Sequence, residues 1–170
     1  MLKVILIGFC LLFSANNFAI GKSDTYPDWF KLSILDLRDD LLDVKTADKK
    51  YLILFMSQAD CGFCNLHLQT NWSDAGLVMY TKKHFEVLAL DVRGSRKLID
   101  FYGKSLTERE YAHEHGFEFT PTLVFVDIEG HEVFRLPGFR SKRHFKAALE
   151  YVAKGYYKRM KFRQYRAGER

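Results

Sequence analysis

Cysteine is scarce in this chain, and several other features that would mark a specialised scaffold are missing with it. Three cysteines in 170 residues are too few for a disulfide-stapled small fold, and a chain of this length can bury a core without staples. No second close cysteine pair exists, and His67, His113, His115, His131 and His144 lack finger-like spacing. That argues against zinc, which needs four ligands, and no metal or other cofactor is expected. Repeats and low-complexity tracts are absent and nearly half the residues are hydrophobic, which suits one compact domain.

Charge is missing from residues 4–21. Lys3 supplies a minimal positive start, residues 4–13 are continuously apolar, and residues 14–19 are polar with small members. Residues 1–20 therefore read as a secretory signal, and the protein is expected in the periplasm or otherwise exported. An uncleaved anchor is the rival, because the uncharged run approaches the ~20 residues that span a bilayer. Cutting after Ala15 or Ala19 would leave Phe13 or Asn17 where a small residue is preferred, so the cleavage point stays open. Cys10, behind the bulky Phe9, reads as an apolar signal residue that departs with it. The exported chain would keep only Cys61 and Cys64, with no spare thiol to mispair.

What remains is one motif, Cys61-Gly62-Phe63-Cys64. Residues 51–56 before it are apolar and rich in branched and aromatic side chains, as in a strand buried on both faces. Residues 65–84 after it contain no proline and suit a helix broken near residues 74–76. Thiol–disulfide exchange needs a thiolate, and a free cysteine with a pKa of about 8.5 is mostly protonated at neutral pH. A sulfur at a helix N-terminus faces unpaired N–H groups and the positive end of the macrodipole, which favour the anion. Cys61 is so placed, and Cys64 lies one turn further in and better shielded. Cys61 is the expected nucleophile and Cys64 the resolving thiol. A purely structural disulfide is the weaker reading, since so short a loop removes little unfolded-state entropy.

The rest of the chain supplies a domain around that motif. Residues 28–48 read mostly as an amphipathic helix, residues 85–92 as a second buried strand, and residues 93–104 as a surface loop or hairpin. Ser105-Leu106-Thr107-Glu108 resembles a capping box opening a helix that stops at Gly116. Residues 119–127 form a strand entered through Pro121, and residues 131–136 form its antiparallel partner across an Ile128-Glu129-Gly130 turn. Ser141 is expected to cap a last amphipathic helix carrying Phe145, Ala148, Leu149 and Val152.

Cys61-Gly62-Phe63-Cys64, Thr120-Pro121, the strand after them and Pro137-Gly138-Phe139 together resemble thioredoxin-fold proteins over nearly all of the exported chain. Within that superfamily the chain is most similar to exported SoxW-type thioredoxins. The shared features are Phe55, the polar lead-in at residues 57–60, Asn65-Leu66-His67 and the aromatic tail. The resemblance implies an α/β fold: a central mixed sheet of four to five strands flanked by helices, with an inserted loop after the second strand and a C-terminal helical extension. Residues 21–155 would form the domain and residues 156–170 the basic aromatic extension. The resemblance implies a thiol–disulfide reductase in which Cys61 and Cys64 are the redox pair. Thr120, Pro121, Gly62 and Phe63 would meet the partner, with a cis Thr120–Pro121 bond presenting the backbone of Thr120.

Departures from the family pattern bear on mechanism. Asp60 stands where many thioredoxins have Trp, and Phe55 stands where they bury a proton-relaying Asp. Asp60 reads as a solvated loop acid ahead of a helix N-cap, and His67 as a surface or packing residue ahead of a proton shuttle. Gly62-Phe63 is neither the Gly-Pro of thioredoxins nor the Pro-His of the oxidant DsbA, and it is close to the Gly-Tyr of exported isomerases. Isomerases add an N-terminal domain and DsbA-like oxidants a large helical insertion, and this chain has room for neither. A reductase of exported proteins, recharged by a membrane thiol reductant of the DsbD/CcdA type and acting as a monomer, is the first expectation. An isomerase or oxidant, or a thioredoxin-fold adaptor with little turnover, is the alternative. The tail from Lys154 carries seven cations against Glu169, with Tyr156, Tyr157, Phe162 and Tyr165 interleaved. It reads as a packed terminal helix with solvated charges, with a surface for a membrane or an acidic partner as the alternative, and an exported protein is not expected to meet nucleic acid.

Overall fold

The computed structural model describes residues 26–168; the signal segment expected at residues 1–20 lies outside them. The first half of the chain runs α1 (Leu37–Thr46), β1 (Tyr51–Ser57), α2 (Gly62–Thr70), α3 (Ala75–His84) and β2 (Phe85–Asp91). The second half runs β3 (Lys97–Ile99), β4 (Ser105–Thr107), α4 (Glu108–Glu114), β5 (Thr122–Asp127), β6 (Glu132–Pro137) and α5 (Lys142–Ala153). A 3-10 turn at Tyr156–Lys158 and α6 (Phe162–Gly168) follow.

β1 is buried along its whole length, as its unbroken apolar run requires. It pairs parallel with β2 and antiparallel with β5, and β5 pairs antiparallel with β6. The sheet is therefore mixed, in the order β2-β1-β5-β6, with helices on both faces. Alternation along the strands separates two cores. Tyr51, Ile53, Phe55, Phe85, Val87, Leu123 and Phe125 face α2, α3 and α5. Leu52, Leu54, Met56, Leu88, Leu90, Val124 and Val126 face α1, α4 and the β3–β4 hairpin.

The helix expected over residues 28–48 is shorter. It starts at Leu37, capped by the Asp36 carboxylate, which accepts from the N–H of Arg38. The residues before it cannot be helical because they serve both cores. Trp29 and Phe30 pack against Trp72 on the disulfide face, and the N–H of Lys31 bonds to Val87 at the edge of β2. Leu35, at φ 67°, turns the chain into the opposite core.

A second correction concerns the capping box. It is formed by Thr107 and Glu110, each side chain bonding the other's backbone N–H, and not by Ser105 and Glu108. Ser105–Thr107 is a strand, and the buried Glu108 carboxylate is engaged by the Arg96 guanidinium and the Asp91 N–H. Residues 93–104 take the hairpin form, with β3 and β4 antiparallel. The strand expected from residue 119 starts only at Thr122, which leaves Phe119 free of the ladder. Ser141 occupies the N-cap of α5, yet its side chain makes no capping bond. After Gly155, at φ 68°, the tail folds back and packs Phe162 against Phe134 and Tyr151.

Candidate active site

β1 delivers the chain to α2 through Asp60, at φ 58°. Cys61 itself is the N-cap of α2, its Sγ accepting the N–H of Cys64 at 3.1 Å. The sulfur thus takes the place usually filled by a Ser or Asp oxygen, and it lies at the positive end of the helix. Cys61 and Cys64 are joined in a disulfide, at 7% and 3% exposure. The Thr120 hydroxyl lies 3.3 Å from Cys61 Sγ; with that sulfur in a disulfide, only the hydroxyl has a hydrogen to donate. The Thr120–Pro121 peptide is cis, and the Pro121 carbonyl accepts from the Gly138 N–H at 2.7 Å, which fastens this corner to the end of β6.

Cys61, Gly62, Phe63, Cys64, Thr120 and Pro121 therefore come together at one end of the sheet. Beside them runs a groove of about 500 Å³ lined by Phe63, Phe119, Thr120, Pro137, Gly138, Phe139 and Arg140. Phe63 and Phe119 are 64% and 66% exposed, an unusual state for two phenyl rings so near each other. A Cβ at Gly62 would meet nothing within 4 Å, so this part of the rim is open. Sequence reasoning missed Phe119, Phe139 and Arg140 as groove walls. The signal was present, since Phe119 directly precedes Thr120-Pro121 and Phe139 directly follows Gly138.

Behind the pair, Phe55 fills the interior and Asp60 is exposed. Asp60 is not the N-cap, because Cys61 is. His67 is fully buried, edge-on to Trp72 and Phe145. The Asn71 amide nitrogen lies 3.1 Å from His67 Nδ1 and 2.9 Å from the Arg140 carbonyl. Burial pushes the His67 pKa down to about 3. A ring so fully buried among aromatic neighbours, with its basicity so reduced, is a packing group and not a proton shuttle.

A family model described as a thioredoxin-like domain matches residues 37–153. A search of curated proteins finds no match. Among solved structures, a thioredoxin-fold protein from Helicobacter pylori is 24% identical, with a TM-score of 0.59, over 69% of this chain and 83% of its own. A thioredoxin from Thermus thermophilus is 24% identical with a TM-score of 0.53, over 67% of this chain and 82% of its own. A structure described as DsbH oxidoreductase is 16% identical with a TM-score of 0.53, over 83% and 95%. These likenesses concern the fold, while the matched region spans both cysteines and Thr120-Pro121. The chain belongs to the thioredoxin-like domain family and is a thiol–disulfide oxidoreductase.

Proposed function

We propose that this protein is an exported, SoxW-type thiol–disulfide reductase that works as a monomer on disulfides of other exported proteins. The observation that carries this reading is the Cys61 sulfur at the N-cap of α2, accepting the Cys64 N–H at 3.1 Å. Once the pair is reduced, the same N–H and the helix end favour the Cys61 thiolate over the thiol.

The Cys61 thiolate attacks one sulfur of a partner disulfide, forming a mixed disulfide and releasing the partner's other sulfur as a thiolate. The Cys64 thiolate then attacks Cys61 Sγ, the mixed disulfide breaks, and the partner leaves as a dithiol. Two electrons pass to the partner, its two sulfurs end protonated, and the Cys61–Cys64 bond re-forms. A membrane thiol reductant of the DsbD/CcdA type would supply the next two electrons. The backbone of Thr120 takes part in no backbone hydrogen bond among the described residues, so an extended partner segment can pair with it. Phe63, Phe119 and Phe139 suit apolar side chains flanking the partner's cysteine.

The test is the reduction potential of the Cys61–Cys64 pair, set by equilibration in dithiothreitol or glutathione buffers. The reductase reading expects a value near the roughly −270 mV of thioredoxin. A value near the roughly −120 mV of DsbA would replace it with an oxidant.

A further inference from the structure

α5 and α6 enclose a second cleft, which shares no lining residue with the groove beside the disulfide. It measures about 590 Å³ and is lined by Arg143, His144, Phe162, Arg163, Arg166 and Ala167. Among the described residues three arginines line it and no acid does. Elsewhere on α5 the cations are paired, Lys142 with Asp74 and Lys146 with Glu150. Among the described residues Arg143 and Arg163 have no acidic partner, and Arg166 Nη1 donates to His144 Nδ1 at 3.0 Å. That nitrogen can accept only while the ring is neutral, and burial with the nearby charges of Arg166 and Arg140 holds the His144 pKa down.

The helix end adds to the imbalance. The first turn of α5 holds no acid, and its N-cap Ser141 makes no side-chain bond. Lys142 there is paired with Asp74, but Arg143 stands at the positive end of the macrodipole with no paired anion, an unfavourable place for a cation. Guanidinium forks suit oxyanions that accept two parallel hydrogen bonds, and the Phe162 ring supplies an apolar wall.

We propose that this cleft is a binding site for a tetrahedral oxyanion of the phosphate or sulfate class, held by Arg143, Arg163 and Arg166. The anion is either free in solution or carried on a phospholipid headgroup, and its binding is independent of the direction of the redox reaction. A bound anion offsets the charges around His144, so occupancy raises the pH at which that ring titrates.

The experiment follows the His144 ring by NMR in the oxidised protein, with the signal assigned through His144→Gln. Sodium phosphate and sodium sulfate are titrated at constant ionic strength against chloride. A saturable shift is expected, with the His144 titration moved to higher pH. Arg163→Gln with Arg166→Gln should weaken phosphate binding about tenfold or more, the loss of charge-assisted hydrogen bonds. Arg143→Gln, on α5, gives the same test should the α6 pair disturb folding. A linear response, one that chloride reproduces, or one unchanged in the variants overturns the site. Vesicles separate the two sources. Sedimentation with phosphatidylglycerol but not phosphatidylcholine, reversed by phosphate, identifies a headgroup; saturable phosphate binding without sedimentation identifies a free anion.

Discussion

The two faces of the sheet are built from different materials. The face that carries the disulfide packs rings: Phe30, Phe55, Trp72, Phe85, Phe125, Phe145 and Tyr151. The opposite face packs mostly leucine and valine, with Tyr111 and Phe117 as its buried aromatic members and Phe101 partly buried against it. β1 shows the split within one strand, with Tyr51, Ile53 and Phe55 on one side and Leu52, Leu54 and Met56 on the other. Rings have few torsions and prefer edge-to-face contact. Trp72 makes such contacts with Trp29, Phe30, Phe55, His67 and Phe145, at centroid distances from 4.7 to 5.7 Å. α2 therefore rests on a stiff bed, which keeps its N-terminus in place around Cys61 as the disulfide opens and closes. The aliphatic face is scaffold, and it tethers the hairpin and α4 through the buried Glu108.

The largest effect expected comes from cutting into both faces and comparing the outcomes. Phe145→Ala should cost about 4 kcal/mol and Leu54→Ala about 3 kcal/mol in denaturant unfolding. Only Phe145→Ala should also change the alkylation rate of reduced Cys61, measured with a small iodoacetamide-type reagent. Equal rate changes in the two variants would remove the distinction between a stiff and a merely supporting core.

Acid should act through the aromatic face. The His67 ring titrates near 6.5 when unfolded and at about 3 when folded, so the unfolded state binds more protons between those values. Stability is complete above the unfolded value and falls as pH drops from about 6.5 toward 3, by about 1.4 kcal/mol per pH unit. Burial lowers the pKa of His84 and His144 as well, which adds to the slope in the same direction. His67→Leu should flatten most of it, and an unchanged slope in urea titrations at pH 7 and pH 5 would reject this assignment.

On the aliphatic side, Gly94 lies against the buried carboxylate. A Cβ there would meet Glu108 Oε2 at 2.2 Å and the Asp91 carbonyl at 3.0 Å. Gly94→Ala should cost about 2 kcal/mol through overpacking and leave the reduction potential unchanged. A shifted potential would show that the hairpin side communicates with the disulfide. The smallest effect on stability belongs to Phe63→Ser, within about 0.5 kcal/mol because the ring is exposed. Its consequence should appear in turnover, slower with protein disulfides and unchanged with a small aliphatic disulfide. Equal rates with both would mean that the aromatic groove does not bind partners.

Much of the site was legible in one dimension. An apolar run, two cysteines and a proline-free segment place a strand, a nucleophile and a helix in register, because each signal acts within a few residues. Asp74 caps α3 through the N–H groups of Gly76 and Leu77, at the break expected in that helix. The turn at Gly130, φ 88°, likewise joins the two strands it was expected to join. The failures share a different cause. Residues 28–36 carry apolar side chains at near-helical spacing, but those side chains belong to two cores. Ser105-Leu106-Thr107-Glu108 matches a capping box, but Glu108 is claimed by Arg96 from the opposite side of the β3–β4 hairpin.

Local pattern by itself determined the strand-turn-helix around Cys61 and the chemistry that two thiols at that spacing can perform, while the family came from the resemblance of those motifs to thioredoxin-fold proteins. Tertiary structure alone decided what surrounds them. It buried His67 among rings with Nδ1 facing Asn71, gathered Phe63, Phe119 and Phe139 into one groove, and brought Arg163 and Arg166 beside Arg143. Those outcomes join residues as many as 78 positions apart, as His67 and Phe145 are, and long-range pairings depend on which faces meet when the chain closes, a choice that local propensity does not encode.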